Sequence, residues 1–148
     1  RVVRGIKEDG REVGLQAEVF LNQDMVKSMG IEDVHEALKK DISNVTKEVQ
    51  SGRNYIIFAE GTRSKMGNKL LDFKGGSFKA ATKAKCPIVP VALIDSFKPF
   101  DTSSIEPVTV QVHFLKPMLY DEYKDMKTVE IAAEVKHRIE ETIEKYEK

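Results

Sequence analysis

A single cysteine, Cys86, stands among 148 residues, so no internal disulfide can form. That economy fits a reducing compartment. No apolar run approaches the ~18 residues needed to span a bilayer, and no signal peptide is visible. Neither charge sign is in surplus: 24 Lys and Arg face 24 Asp and Glu. No global field therefore favours nucleic acid. Internal repeats, low-complexity segments and linkers are also missing, which argues for one domain over residues 1–148, long enough to bury a real core.

The charges that are present are unevenly spread. Between Gly61 and Lys85 stand Arg63, Lys65, Lys69, Lys74, Lys79, Lys83 and Lys85, against Asp72 alone. Such a stretch reads either as a solvated helix face or as a basic rim for phosphates, an acidic acyl carrier or an anionic membrane. Cys86 lies in the apolar run Cys86-Pro87-Ile88-Val89-Pro90-Val91, where packing rather than catalysis is expected of it.

Periodicity outlines the elements. Ile31, Val34, Leu38, Ile42, Val45 and Val49 recur at three- and four-residue steps and predict a helix that Gly52 closes. Tyr55-Ile56-Ile57-Phe58 predicts a short buried strand. A helix is expected from about Gly75 to Lys83. Residues 88–94 predict a second strand that begins, bulges or is at an edge at Pro90, because proline removes a ladder donor. Residues 108–114 alternate and predict a third strand with one wet face, on which His113 is placed. A last helix is expected over about 127–146, with Val135, Ile139, Ile143 and Tyr146 on one side. Before Gly30 the pattern is weak, and a strand is expected at Ala17-Glu18-Val19-Phe20-Leu21. The alternation argues for an α/β fold, a mixed sheet with helices packed on its faces.

The strand at 55–58 delivers Glu60-Gly61-Thr62-Arg63-Ser64 to its carboxyl end, where ligands of open α/β sheets bind. The residue types suit a phosphate. Arg63 offers a planar fork of donors, Thr62 and Ser64 add hydroxyls, and Gly61 lets the backbone approach closely.

The run Phe58-Ala59-Glu60-Gly61-Thr62-Arg63-Ser64 resembles the phosphate-binding motif of the glycerophospholipid acyltransferases, and most closely their lysophosphatidic acid acyltransferase type, with Ala59 in place of a proline. Asp72-Phe73-Lys74-Gly75-Gly76-Ser77 resembles the segment that follows it. Ile88-Val89-Pro90-Val91 resembles the Val-Pro-Val motif associated with the acyl chain. The resemblance implies that Glu60, Gly61, Thr62, Arg63, Ser64 and Lys74 bind the acceptor, with Arg63 on its phosphate and Glu60 orienting Arg63 or the glycerol hydroxyls. It implies that Val89, Pro90 and Val91 line the acyl region. Phe20-Leu21-Asn22-Gln23 resembles a further motif in which the family carries an arginine, which would put Gln23, a neutral donor, in a phosphate-binding position; a second register puts the motif near Ile31-Glu32-Asp33-Val34, where no arginine stands either.

The family's catalytic His, followed five residues later by Asp, has no counterpart. Lys40, Met118 and Thr142 stand five residues after His35, His113 and His137. No catalytic residue is therefore assigned, and His35 and His137 are read as helix-surface residues. The expectation is the C-terminal part of an acyltransferase, incomplete at its N-terminus. Its implied activity is acyl transfer from a thioester, on coenzyme A or acyl carrier protein, to lysophosphatidate, giving phosphatidate. A positioned base suffices for such chemistry, so no metal and no bound cofactor are expected. The alternative is a non-catalytic module that binds lysophospholipid or membrane. The implied partners are the lysophospholipid, the acyl thioester and a membrane surface at its cytoplasmic face, with no nucleic acid.

Overall fold

A computed structural model describes residues 2–6, 12–16, 31–101 and 107–147, with side chains from 39–100 and 107–147. The chain divides into two compact units, Arg1–Ala37 and Leu38–Lys148. In the first, β1 (Val2–Ile6) pairs antiparallel with β2 (Glu12–Gln16), Val2 opposite Gln16 and Ile6 opposite Glu12. The strand expected at 17–21 lies outside the described residues.

Helix α1 (Ile31–Gln50) follows the predicted stripe: Val45 is buried, and Ile42 and Val49 are half-buried. Its end is a Schellman closure. The Gly52 N–H donates to Val49 O (3.0 Å) and the Arg53 N–H to Glu48 O (3.2 Å). Gly52 holds φ at 87°, which a side chain would resist.

The core of the second unit is one face of a two-stranded sheet packed on the last helix. Strand β3 (Val91–Ile94) pairs antiparallel with β4 (Gln111–Phe114), Val91 opposite Phe114 and Ile94 opposite Gln111. Before Val91 only an isolated bridge remains, Ile88 with Met118. The ladder thus starts just after Pro90, as its missing N–H requires. Relative to the Val91–Phe114 register, the bridge leaves one extra residue on the β4 side, a bulge around Lys116-Pro117. Gly75–Phe78 is a turn of 3-10 helix that runs into α2 (Lys79–Ala84). Two short helices, α3 (Lys98–Asp101) and α4 (Tyr120–Tyr123), carry no periodic pattern long enough to predict them. Helix α5 (Thr128–Tyr146) sets Ile131, Val135, Ile139 and Ile143 at four-residue steps against Ala92, Ile94, Phe78, Met118 and Tyr123. Each such side chain, fully buried, contributes roughly 1.5–3 kcal/mol.

Two sequence expectations are corrected. Residues 55–58 form no ladder, and Ile56 and Phe58 are 62% and 67% exposed. The alternation survives, with Tyr55 and Ile57 half-buried, but no described strand lies beside the segment to complete a ladder. The wet side of β4 is also inverted. His113 is half-buried and stacks on Tyr146 with ring centroids 4.4 Å apart, while Val112 and Phe114 on the opposite side are exposed. The cause is the register: His113 faces the small Ala92, which leaves room for an imidazole beside α5. The mixed sheet is seen as antiparallel pairs alone among the described residues.

Candidate acceptor site

The Glu60–Ser64 run begins in a tight turn. The Gly61 N–H donates to Phe58 O (3.1 Å), and Gly61 adopts φ 71°, a conformation that glycine alone takes without penalty. The turn is tied at its base to the following segment. The Lys74 N–H donates to Ala59 O (2.8 Å), and Glu60 Oε2 accepts from the Leu71 N–H (2.9 Å). A Cβ on Gly61 would lie 3.7 Å from Lys74 Cγ, so the Lys74 stem runs alongside the turn. Glu60 therefore spends a carboxylate oxygen on closing the loop.

Thr62 and Arg63 are exposed on this loop. The Arg63 guanidinium lies over the ring of Phe100, 5.6 Å from its centroid. Ser64 is half-buried; its Oγ accepts from the Met66 N–H (3.2 Å) and donates to Lys69 O (3.2 Å), which rounds the loop. The structure thus brings Glu60, Gly61, Thr62, Arg63, Ser64 and Lys74 onto one stapled loop. Gln23 lies outside the described residues.

Two residues that no motif or periodicity singles out hold the tip of the loop. The Asn68 amide donates to Asp95 Oδ1 (3.1 Å) and to Glu147 Oε1 (3.0 Å), and its Oδ1 accepts from the Asp95 N–H (2.7 Å). Asp95 sits at φ 61°, in the left-handed region that Asp tolerates better than most residues. Lys98 Nζ donates to Asp95 Oδ2 (2.7 Å). The Asp95 carboxyl is held below the usual carboxylate range, first by the Lys98 bond and then by the Asn68 bond. Gly67-Asn68 is a turn-favouring pair, and that local role is the one hint the residues carry.

The three residues that the resemblance assigns to the acyl chain part company. Pro90 is fully buried, and its carbonyl accepts from the Leu115 N–H (3.0 Å). Val89 is 46% exposed and Val91 half-buried, on the same side of the strand as Leu93. Across the ladder Leu93 meets Val112 and Val91 meets Phe114, so this side is an apolar surface open to solvent.

Cys86 is half-buried with its thiol pushed up by burial, as packing demands. His137 is a helix-surface residue, 3.5 Å from Glu141. His113 faces Gln111 Oε1 at 3.1 Å and has no carboxylate partner among the described residues. The side chain of His35 lies outside the described residues. Among the described residues no cluster of His, Cys, Asp and Glu is arranged to hold a metal, and no helix is long and apolar enough to cross a membrane.

Residues 20–94 match the family model described as Acyltransferase. A 1-acyl-sn-glycerol-3-phosphate acyltransferase of Cocos nucifera is 35% identical over 53% of this chain and 26% of its own length. That of Escherichia coli strain K12 is 34% identical over 62% of this chain and 37% of its own. The Helicobacter pylori J99 enzyme is 39% identical over 46% of this chain and 30% of its own. The chain thus spans between 16% and 37% of the length of these curated relatives and others it matches. The crystal structure of the 1-acyl-sn-glycerophosphate (LPA) acyltransferase PlsC from Thermotoga maritima superposes with a TM-score of 0.61 at 23% identity, over 70% of this chain and 43% of that one. This likeness establishes a shared α/β fold. With the family model covering more than half of the sequence, the chain belongs to the acyltransferase family.

Proposed function

We propose that the whole protein transfers an acyl group from a thioester to the free hydroxyl of lysophosphatidate, giving phosphatidate, and that this chain carries the acceptor part of its site. The observation that carries the reading is the stapled loop that presents exposed Arg63 and Thr62, in a chain of this family. A phosphate monoester suits that loop. Arg63 supplies charge-assisted bonds, Thr62 a hydroxyl donor, and Gly61 a backbone free of Cβ. Ser64 and Glu60 hold the loop's shape, and Lys74 adds positive charge beside Gly61. Gln23 is proposed as a further neutral donor.

The acyl chain is assigned to the apolar side that Val89 and Val91 share with Leu93, Val112 and Phe114. Pro90 supports that strand from beneath. The acyl donor is proposed to be carried on coenzyme A or acyl carrier protein. The base is not assigned to this chain. The described histidines, 113 and 137, have an amide and an exposed glutamate as neighbours rather than an orienting aspartate. A membrane surface, at its cytoplasmic face, is the proposed location. Arg63, Lys65, Lys69, Lys74, Lys79, Lys83 and Lys85 are all exposed, and anionic lipid favours such a surface.

The test is equilibrium binding of lysophosphatidate in neutral micelles, with monoacylglycerol as the phosphate-free control. Arg63→Ala should cost roughly 2–4 kcal/mol in phosphate-dependent binding. Equal binding by wild type and mutant would remove Arg63 from the site.

A further inference from the structure

One short stretch of chain meets the phosphate loop at three points, and the Asn68 amide also donates to Glu147 Oε1. Asp95 takes both polar ends of the Asn68 amide. Phe97 lies 3.6 Å from where a Cβ on Gly67 would stand. Phe100, itself 76% exposed, lies under the Arg63 guanidinium. All three belong to the corner that leaves β3 and enters α3. The corner is itself stiff: the Lys98 N–H donates to Asp95 O (3.1 Å), the Phe100 N–H to Phe97 O (3.0 Å), and Lys98 Nζ to the Asp95 carboxylate.

We propose that the Asp95–Phe100 corner is the positioning element of the phosphate loop, with Asn68 and Phe100 as its two positioning residues. The proposal rests on the reading of Arg63 as the phosphate ligand. An arginine on an exposed loop has many rotamers, and ordering it costs affinity when the ligand arrives. The face of the Phe100 ring attracts the guanidinium above it and so narrows the range of rotamers that Arg63 samples. The Asn68 bonds fix the loop's backbone at the same time, across 27 residues of sequence. Neither residue needs to touch the phosphate. Because the corner directly continues β3, the strand that presents Val91 and Leu93, the phosphate and acyl surfaces share one rigid support.

The experiment uses the full chain and the same pair of probes, lysophosphatidate and monoacylglycerol in neutral micelles. Phe100→Leu keeps the apolar bulk and loses the aromatic face, and Phe100→Tyr keeps the face. Phosphate-dependent affinity should fall about three-fold in the leucine variant and return in the tyrosine variant. Asn68→Ala should weaken it about ten-fold. Monoacylglycerol binding should not move in any of them. Phe100 is exposed, so its variants fold whatever happens to Asn68→Ala. Wild-type affinity in Phe100→Leu or in Asn68→Ala overturns the proposal, as does a tyrosine variant no better than leucine. Arg63→Ala, run beside them, separates the two ideas. If it loses phosphate-dependent binding while the corner variants keep it, the acceptor reading stands and the corner does not. If Arg63→Ala binds as wild type, both fall.

Discussion

Ile131 and Ile94 are wholly buried between α5 and β3, whereas Thr62 and Arg63 stand exposed on a loop, yet both places have a defined geometry. The core is ordered by many small, non-directional contacts between apolar side chains. The loop is ordered by a few directional bonds: Leu71 N–H to Glu60, Lys74 N–H to Ala59, and the Asn68 pair to Asp95. Burial resists unfolding but has no preference for a ligand. A polar brace adds little to stability at a wet surface, yet it decides where an arginine can reach. Stability and binding should therefore respond to different mutations.

The sharpest way to break that comparison is Ile131→Ala. The side chain is completely buried among Ile94, Phe78 and Tyr123 in the core cluster, so its truncation should cost about 3–4 kcal/mol of unfolding free energy. Denaturant unfolding measures this directly. Lysophosphatidate binding, taken well below the melting temperature, should be unchanged. A parallel loss of binding in the folded variant would mean that core packing, not the polar brace, sets the loop.

Gly75 and Gly76 offer a finer cut, because both belong to the motif segment that follows the loop. A Cβ on Gly75 would meet Val129 N at 3.2 Å and Thr128 C and Oγ1 at 3.3 Å, the backbone start of α5. A Cβ on Gly76 would meet nothing within 4 Å. Gly75→Ala should thus destabilise by about 1–3 kcal/mol through overpacking, and Gly76→Ala should be near neutral. Equal melting temperatures for the two variants would contradict the close approach.

What was legible in the residues follows the same division. The α5 stripe, the α1 stripe with its Gly52 stop, and the start of β3 after Pro90 are local patterns, and each is found where its periodicity or chemistry placed it. Glu60 to Ser64 and Lys74 were legible as a group, because they are close in sequence and resemble a known motif. Asn68 with Asp95 was not, since no periodicity links residues 27 apart and an Asn in a turn has a sufficient local explanation. His113 was placed on the wrong side of β4 for a related reason. Alternation shows that a strand has two faces, but the partner's small Ala92 decides which face α5 covers.

Tyr123 tests the core side by pH. It is wholly buried, and its hydroxyl donates to Cys86 O, with Ala81 O also within reach at 3.3 Å. Burial, ahead of the neighbouring Cys86 and Tyr120, pushes its pKa up from 10 to about 12. Between those values the unfolded chain has lost the phenolic proton and the folded chain retains it. The stability this group provides is therefore complete below pH 10 and is lost as pH rises toward 12. Tyr123→Phe should cost about 1–2 kcal/mol at neutral pH by leaving the Cys86 carbonyl unpaired. It should also flatten the alkaline fall. An alkaline limb as steep as that of wild type would show that Tyr123 is not the group responsible.

The smallest expected effect lies on the basic face. Lys85 closes α2 in the left-handed conformation, φ 54° and ψ 39°, where a side chain is penalised and glycine is not. Lys85→Gly relieves that strain but loosens the unfolded chain and gives up the contact of Lys85 Nζ with the Tyr120 ring at 5.9 Å. The balance should be a gain of a few tenths of a kcal/mol, read as a slightly raised melting temperature. The same substitution removes an exposed cation, so binding to anionic vesicles at low salt should weaken while neutral micelle binding of lysophosphatidate stays the same. Stability and membrane affinity would then move in opposite directions through one residue. Vesicle binding that ignores both the substitution and added salt would show that the basic face does not meet the membrane.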